Sequence, residues 1–229
     1  MNNVTVAIAY HPEGWENGGL KGNLMIIKLN GEDVLWDPKD QAELGSLLEE
    51  FVSKRFFQDE FIAKIKINGE DIPEDVMLTM KTKPVADVQS IEINTDTFRA
   101  VSIRALDSMD EYVEGLVGLV EQSADKFRTD DETSANKNFI NCVEGLQTFI
   151  GIIDKVKSIN GLDFESMKHN DGAVSVKEQE LLQVLNTLFA AQKSRDWITL
   201  ADILEYELAP LIVEWKEILR AIANALRGM

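Results

Sequence analysis

The hydrophobic periodicity of this chain changes once, near Phe98, and that change constrains its fold more than any single residue does. Before Phe98, apolar side chains alternate in short runs broken by turn-forming pairs. After it, they recur at spacings of three and four. A period of two is the mark of a strand with one buried face, and a period near 3.6 is that of an amphipathic helix. A chain of this kind predicts an α+β protein, with an α+β region over residues 1–97 and an α-helical bundle over residues 98–229.

Within the first region one stretch occurs nearly twice. "IIKLNGEDV" begins at Ile26 and "KIKINGEDI" at Lys64, 38 residues later. In both, an apolar run leads into Asn-Gly, a pair suited to a type I′ hairpin turn with positive φ at its two central residues. After the first copy the sequence predicts a helix capped by Asp37, with Pro38 in its first turn and Asp40 near its positive end. Leu44, Leu47, Leu48, Phe51 and Val52 recur at helical spacing, and this helix should finish near Phe56 or Phe57. The second copy repeats only strand and turn. "IPEDVMLTM" is too short for another long helix, and "VQSIEINTDT" reads as a last strand. Val4, Val6 and Ile8 alternate like one further strand, and "HPEGWENGG" reads as a loop.

The order strand, turn, strand, helix, strand, short element, strand over residues 20–97 resembles the β-grasp, or ubiquitin-like, fold. The resemblance implies a small mixed sheet with one helix, and places the two copies at equivalent edges of it. Convergent turn chemistry explains the repeat better than duplication, because no second long helix follows Ile72.

The second region predicts about four antiparallel helices. Ser108 and Glu111 are spaced as a capping box, as are Ser175 and Glu178. Phe139, Val143, Leu146, Ile150, Ile153 and Val156 mark one stripe, which Phe149 and Ile152 widen. In the last helix Pro210 removes a backbone donor and crowds the preceding turn, predicting a kink between Tyr206 and Pro210. The wide stripes also allow a homodimer with a shared core.

The chain of 229 residues carries a formal net charge of −17, spread over both regions. No basic face is present for a phosphate backbone, so nucleic acid is not an expected partner. No apolar run is long enough to span a membrane. The N-terminal stretch lacks the charge and apolar core of a secretory leader, and together with a single cysteine, Cys142, this predicts the cytoplasm; a bacterial source is expected as well.

Motifs that carry chemistry are scarce. His11 and His169 lie in polar loops without repeated ligand spacing. "TDDET" at Thr129–Thr133 lacks the frame of a calcium loop. Asp202 and Glu205 share a helix face with Tyr206, but a carboxylate pair on a helix is ordinarily its wet face. Neither a phosphate loop nor a nucleophile elbow is present. The expectation is therefore a non-enzymatic protein with no cofactor, metal or catalytic residue.

A protein partner is expected, with Trp15, Trp197, Tyr206 and Trp215 as candidate contact residues, since aromatics are enriched at contact sites. In general character the chain resembles acidic helical chaperones of flagellar and secreted proteins, which implies an adaptor, regulator or chaperone that binds through the faces of its last two helices. Two alternatives compete. One is a small-molecule sensor or enzyme with a site near Tyr10, His11 and Trp15, between the regions. The other is a structural subunit of an assembly.

Overall fold

The computed structural model describes residues 24–38, 41–129, 132–170 and 172–228. It is an α+β protein whose described residues divide into two compact units. One takes in residues up to Phe56 together with Ile62–Thr95; the other comprises Phe57–Phe61 and the chain from Asp96 onward. The strand expected over Val4–Ile8 lies outside the described residues.

The first unit is a five-stranded mixed sheet with helices. Strands β1 (Met25–Leu29) and β2 (Glu32–Trp36) form a hairpin, followed by helix α1 (Leu44–Arg55). Strands β3 (Glu60–Ile67) and β4 (Glu70–Asp71) form the second hairpin, followed by the short helix α2 (Glu74–Met80). A 3₁₀ turn at Val85–Asp87 then leads to β5 (Ile91–Thr97). The sheet order is β2-β1-β5-β3-β4, with β1 and β5 parallel.

Both Asn-Gly pairs adopt the backbone the sequence predicts: Asn30 and Gly31 have φ of 52° and 89°, and Asn68 and Gly69 have 53° and 82°. Their side chains also join the turns to the last strand. Asn30 accepts from the Thr95 amide through Oδ1 (2.8 Å) and donates to the Thr95 hydroxyl through Nδ2 (2.8 Å). Asn68 Oδ1 accepts from the amides of Gln89 (2.6 Å) and Ser90 (3.2 Å), and its Nδ2 donates to the Asp87 carbonyl (3.1 Å). The two copies of the motif thus clamp opposite ends of the β5 segment.

Ile27, Ile65, Ile67, Ile91 and Ile93 of the sheet are buried with Leu44, Leu47 and Phe51 of α1, and Trp36 meets Phe51 edge-on at 5.0 Å. The start of α1 corrects the sequence reading. It begins at Leu44, not after Asp37, and no side chain caps it. Its first amides are met by backbone instead: Leu44 donates to Lys83 O (2.9 Å) and Gly45 to Lys81 O (2.8 Å). A returning chain segment thus does the work of a cap.

The second unit contains α3 (Phe98–Asp107), α4 (Met109–Arg128), α5 (Glu132–Ile159), α6 (Val174–Ser194), α7 (Trp197–Asp202) and α8 (Ala209–Gly228). A two-residue strand pair, β6 (Lys168–His169) and β7 (Gly172–Ala173), precedes α6. Neither expected capping box forms. Helix begins at Phe98, where Thr97 Oγ1 accepts from the Ala100 amide (3.0 Å), and Ser108 donates to the Ala105 carbonyl at the α3–α4 junction. Helix α6 starts before Ser175 with Ala173 at its N-cap, and Glu178 pairs with Lys157 of α5 (2.6 Å).

The irregularity expected near Pro210 takes a definite form. Ile203–Leu208 is π-helical and continuous with α7 and α8, and the Ala209 amide reaches back five residues to Leu204 O. Pro210 has no amide to extend the helical pattern, and a π turn just ahead of it relieves crowding against the preceding carbonyls. Around this helix lies one core that includes Leu116, Val120, Phe149, Leu204, Leu208, Ile212, Trp215 and Leu219. Helices α4 and α5 approach closely at Gly145, where a Cβ would meet Leu116 Cδ1 at 2.8 Å, and Tyr112 donates to the Gly145 carbonyl (2.8 Å).

Several cations of the unit bridge neighbouring helices. Lys216, Arg220 and Arg227 of α8 pair with Glu114, Asp110 and Asp107, a descending register that fixes α8 antiparallel to α3 and α4. Lys177 of α6 pairs with Glu214 of α8 (2.9 Å).

Three outcomes are expected from this architecture. Asn68→Ala should lower stability by about 1–2 kcal/mol in urea unfolding, because it places an ordinary side chain at positive φ and removes the clamp. Asn68→Gly, which keeps the backbone freedom, should lose less. Trp215→Ala should cost about 3–5 kcal/mol. Trp215→Phe should cost far less, since it keeps most of the buried ring and removes an indole N–H that has no hydrogen-bond partner among the described residues; equal costs for the two would contradict this account. Finally, Arg104 hydrogen bonds hold the Asp96 carboxyl below its usual range and Arg220 does the same for Asp110, while the Glu165 and Thr199 amides do so for Asp163 and Asp196. A carboxyl depressed in the folded state stabilises above its unfolded pKa and loses that contribution as pH falls through the folded value. The urea midpoint should therefore drop below about pH 4, and not between pH 7 and 5.

Candidate functional site

The four aromatic residues singled out by the sequence meet different fates. Trp15 lies outside the described residues. Trp215 is 0% exposed and packs edge-on against Phe149 at 6.3 Å, so its reading as a contact residue is corrected: it belongs to the core of the helical unit. Trp197 and Tyr206 are brought to the same corner of that unit, and the residue that unites them is one the sequence did not single out, Arg128.

Arg128 ends α4. Its guanidinium pairs with Asp202 at the end of α7 (2.9 Å) and with Glu205 in the π segment, and lies over the Tyr206 ring at 5.5 Å. The hydrogen bonds it donates to Asp202 and then Glu205 raise its pKa further, so the charge is permanent. Asp202 and Glu205, spaced like an acid–base pair, share this one guanidinium. The cluster ties the end of α4 to the α7–π junction. The local sequence signal for it was a basic residue in the last turn of α4, which the helix dipole alone accounts for.

Beside this cluster, Phe127 and Trp197 stack at 5.2 Å and line an open depression of about 590 Å³ with Arg128, Glu132, Arg195 and Asp196. Trp197 is half-buried and Tyr206 is 65% exposed.

Cys142 is fully buried, and burial pushes its thiol up to about 12, so no reactive thiolate forms at neutral pH. His169 lies in the β6–β7 hairpin, and His11 is outside the described residues. Among the described residues, no group of three His, Cys, Asp or Glu side chains comes together as a metal site. No described helix is long and apolar enough to cross a membrane.

The most distinctive surface is one that sequence reasoning missed. Between α5 and α6 runs a groove of about 490 Å³, lined by Phe139, Ile140, Val143, Leu146 and Ile150 on one side and Leu185, Leu188 and Phe189 on the other. Phe139 and Leu146 of α5 are buried, as is Leu188 of α6, and they join the groove to the core. Ile140 and Phe189 stand at its margins, 58% and 66% exposed, and Leu182 on α6 is 52% exposed. Polar groups are confined to Glu144, Gln147 and Gln192. The main packing partner of α5 is α4, whereas α6 packs on the π segment and α7, so the seam between α5 and α6 is left incompletely filled. The signal available in the sequence was Ile140 and Phe189 themselves, apolar residues off the principal stripes. Isolated exposed apolar residues are ordinary on a helix, and only the fold assembles these into one surface.

A second apolar surface lies on the sheet, where Ile26 and Leu35 are cross-strand partners exposed on the face opposite α1, close to Leu24.

Comparison with known families places both units. The model for the TP0873 N-terminal domain matches residues 25–97, the span of the mixed sheet. The model for a domain of unknown function, DUF8042, matches residues 104–218, which include the whole α5–α6 groove and the Arg128 cluster. No curated protein and no solved structure matches the chain. Matched over half its length, the chain belongs to the DUF8042 family of helical domains of unknown function.

Proposed function

We propose that this chain is a non-catalytic protein-interaction module, an adaptor, regulator or chaperone of bacterial cytoplasm, whose helical unit receives a protein partner. The observation that carries the reading is the α5–α6 groove: a continuous apolar seam, open to solvent, edged by large side chains and joined to the core. Interfaces draw most of their energy from a few apolar and aromatic anchors in such settings, with polar groups at the rim. Around the groove the helices are pinned by ion pairs such as Lys157–Glu178 and Lys177–Glu214, which favours a pre-formed surface over one assembled on binding. In the same reading the sheet unit is a β-grasp domain. Support comes from its element order, from the central parallel pair of first and last strands, and from the single long helix packed on the sheet.

The test is retrieval of tagged protein at native level from its own host, side by side with the double variant Ile140→Glu/Phe189→Glu. Both positions are solvent-exposed, so the variant should keep the wild-type urea midpoint to within about 0.5 kcal/mol. A stoichiometric protein partner held by the wild type and lost from the variant is the expected result. Recovery of the chain alone, or of the same partner with both proteins, would refute the reading.

A further inference from the structure

The chemistry of the groove narrows what can occupy it. Resting on the interaction reading above, we infer that the α5–α6 groove receives an amphipathic helix from a different protein, with an apolar stripe facing the seam and basic residues beside it.

Three observations converge on this occupant. The first is the lack of backbone partners. Val143, Leu146, Ile150, Leu185 and Leu188 offer an approaching chain no side-chain donor or acceptor, and the polar lining is limited to Glu144, Gln147 and Gln192. An extended peptide laid there would bury amides and carbonyls without hydrogen bonds, at a cost of about 1–3 kcal/mol each. A helix satisfies its own backbone and presents only side chains.

The second is the length and form of the seam. Residues 139 and 150 mark its limits on α5, eleven residues apart, or ~16 Å of helix at about 1.5 Å per residue. That is three turns, the span covered by apolar residues at i, i+4, i+7 and i+11. Lys157 pairs with Glu178 at one end of the helix pair, while Phe139 and Gln192 line the groove together toward the other, so α5 and α6 run antiparallel with the seam between them. A third helix fits along such a seam.

The third is charge. Glu144 lines the groove and, among the described residues, has no cation within ion-pair distance. The chain as a whole carries −17. A second copy of this chain would add a like net charge and, in a two-fold arrangement, a second unpaired Glu144 on the same seam. A Lys or Arg on a foreign helix answers both.

The experiment uses fluorescein-labelled designed helical peptides of about 18 residues, long enough to hold the stripe. One carries a Leu stripe at the spacing above with Lys elsewhere, one the same stripe with Glu, and one the Lys composition scrambled to destroy the stripe. Each is titrated with the full chain and followed by fluorescence anisotropy in moderate salt. The striped Lys peptide should bind at least about tenfold more tightly than either control. Phe189→Glu should abolish that binding, and Glu144→Lys should narrow or reverse the preference for Lys over Glu. Equal binding of the scrambled peptide, or binding unaffected by Phe189→Glu, overturns the inference. Sedimentation equilibrium of the chain alone supplies a further check: a dimer that dissociates in Phe189→Glu makes a second copy the occupant and overturns it too. If native retrieval yields a groove-dependent partner but no striped peptide binds, the helix assignment falls while the interaction reading stands.

Discussion

The sheet of the first unit can close only when the last strand of that unit reaches its centre. Strand β5 lies between β1 and β3, so both hairpins depend on it for their place in one sheet. Ile91 and Ile93 supply buried side chains to the core, and the Asn30 and Asn68 turns hold the two ends of the segment. This explains why one chain carries nearly the same stretch twice. Each copy ends a strand beside β5 with a residue that tolerates positive φ, and whose amide side chain can satisfy backbone groups at the neighbouring strand's end. Asn meets both demands, whereas Gly would meet only the first.

In the helical unit, cohesion and register come from different forces. Burial of Trp215, Phe149, Leu204, Leu208 and their neighbours supplies cohesion. The ion pairs are mostly exposed, and pairs of that kind each contribute no more than about 1 kcal/mol. Their placement carries more meaning than their energy. Three cations on α8 meet three carboxylates on α3 and α4 in descending order, so a slip of one turn would break all three pairs together. Arg128 likewise binds α4 to the point where α7 passes into the π segment. With 23 basic and 40 acidic residues in the chain, cations committed to pairs between helices leave an excess of anionic charge.

Much of this architecture was legible in the sequence, and the exceptions have physical causes. The Asn-Gly turns, the strand and helix order, the change at Phe98 and the disturbance before Pro210 all depend on local backbone preferences. Periodicity and turn chemistry report those directly. The start of α1 was misplaced because the amides of Leu44 and Gly45 are met by Lys83 and Lys81, nearly forty residues away in sequence. The two capping boxes failed for different reasons: Ser108 keeps a helical backbone between α3 and α4 and its hydroxyl donates back to the Ala105 carbonyl, and Ser175 already lies inside α6. Trp197, Tyr206 and Trp215 were named together by residue type, although Trp215 stands on an apolar stripe that core packing explains, and its burial agrees with that. The α5–α6 groove was illegible because it is made by what α4 and the π segment leave uncovered, a property of packing and not of either helix alone.

The parallel pairing of β1 with β5 also orders events in time. Ile27 and Ile91 are partners across 64 positions of chain, and the rest of that pair is no more local. The hairpins, by contrast, close over two-residue turns. During synthesis the β1–β2 hairpin can form as soon as it emerges, yet one edge of β1 has no partner until the chain has been made through Ile93. Long-range strand pairing forms slowly because the loop must be ordered before any contact repays it. The nascent unit therefore passes through a stage with an open strand edge and an exposed Ile27 face, which closes when β5 arrives. The turn asparagines, already set in position by the hairpins, give that strand a docking place at each of its two ends.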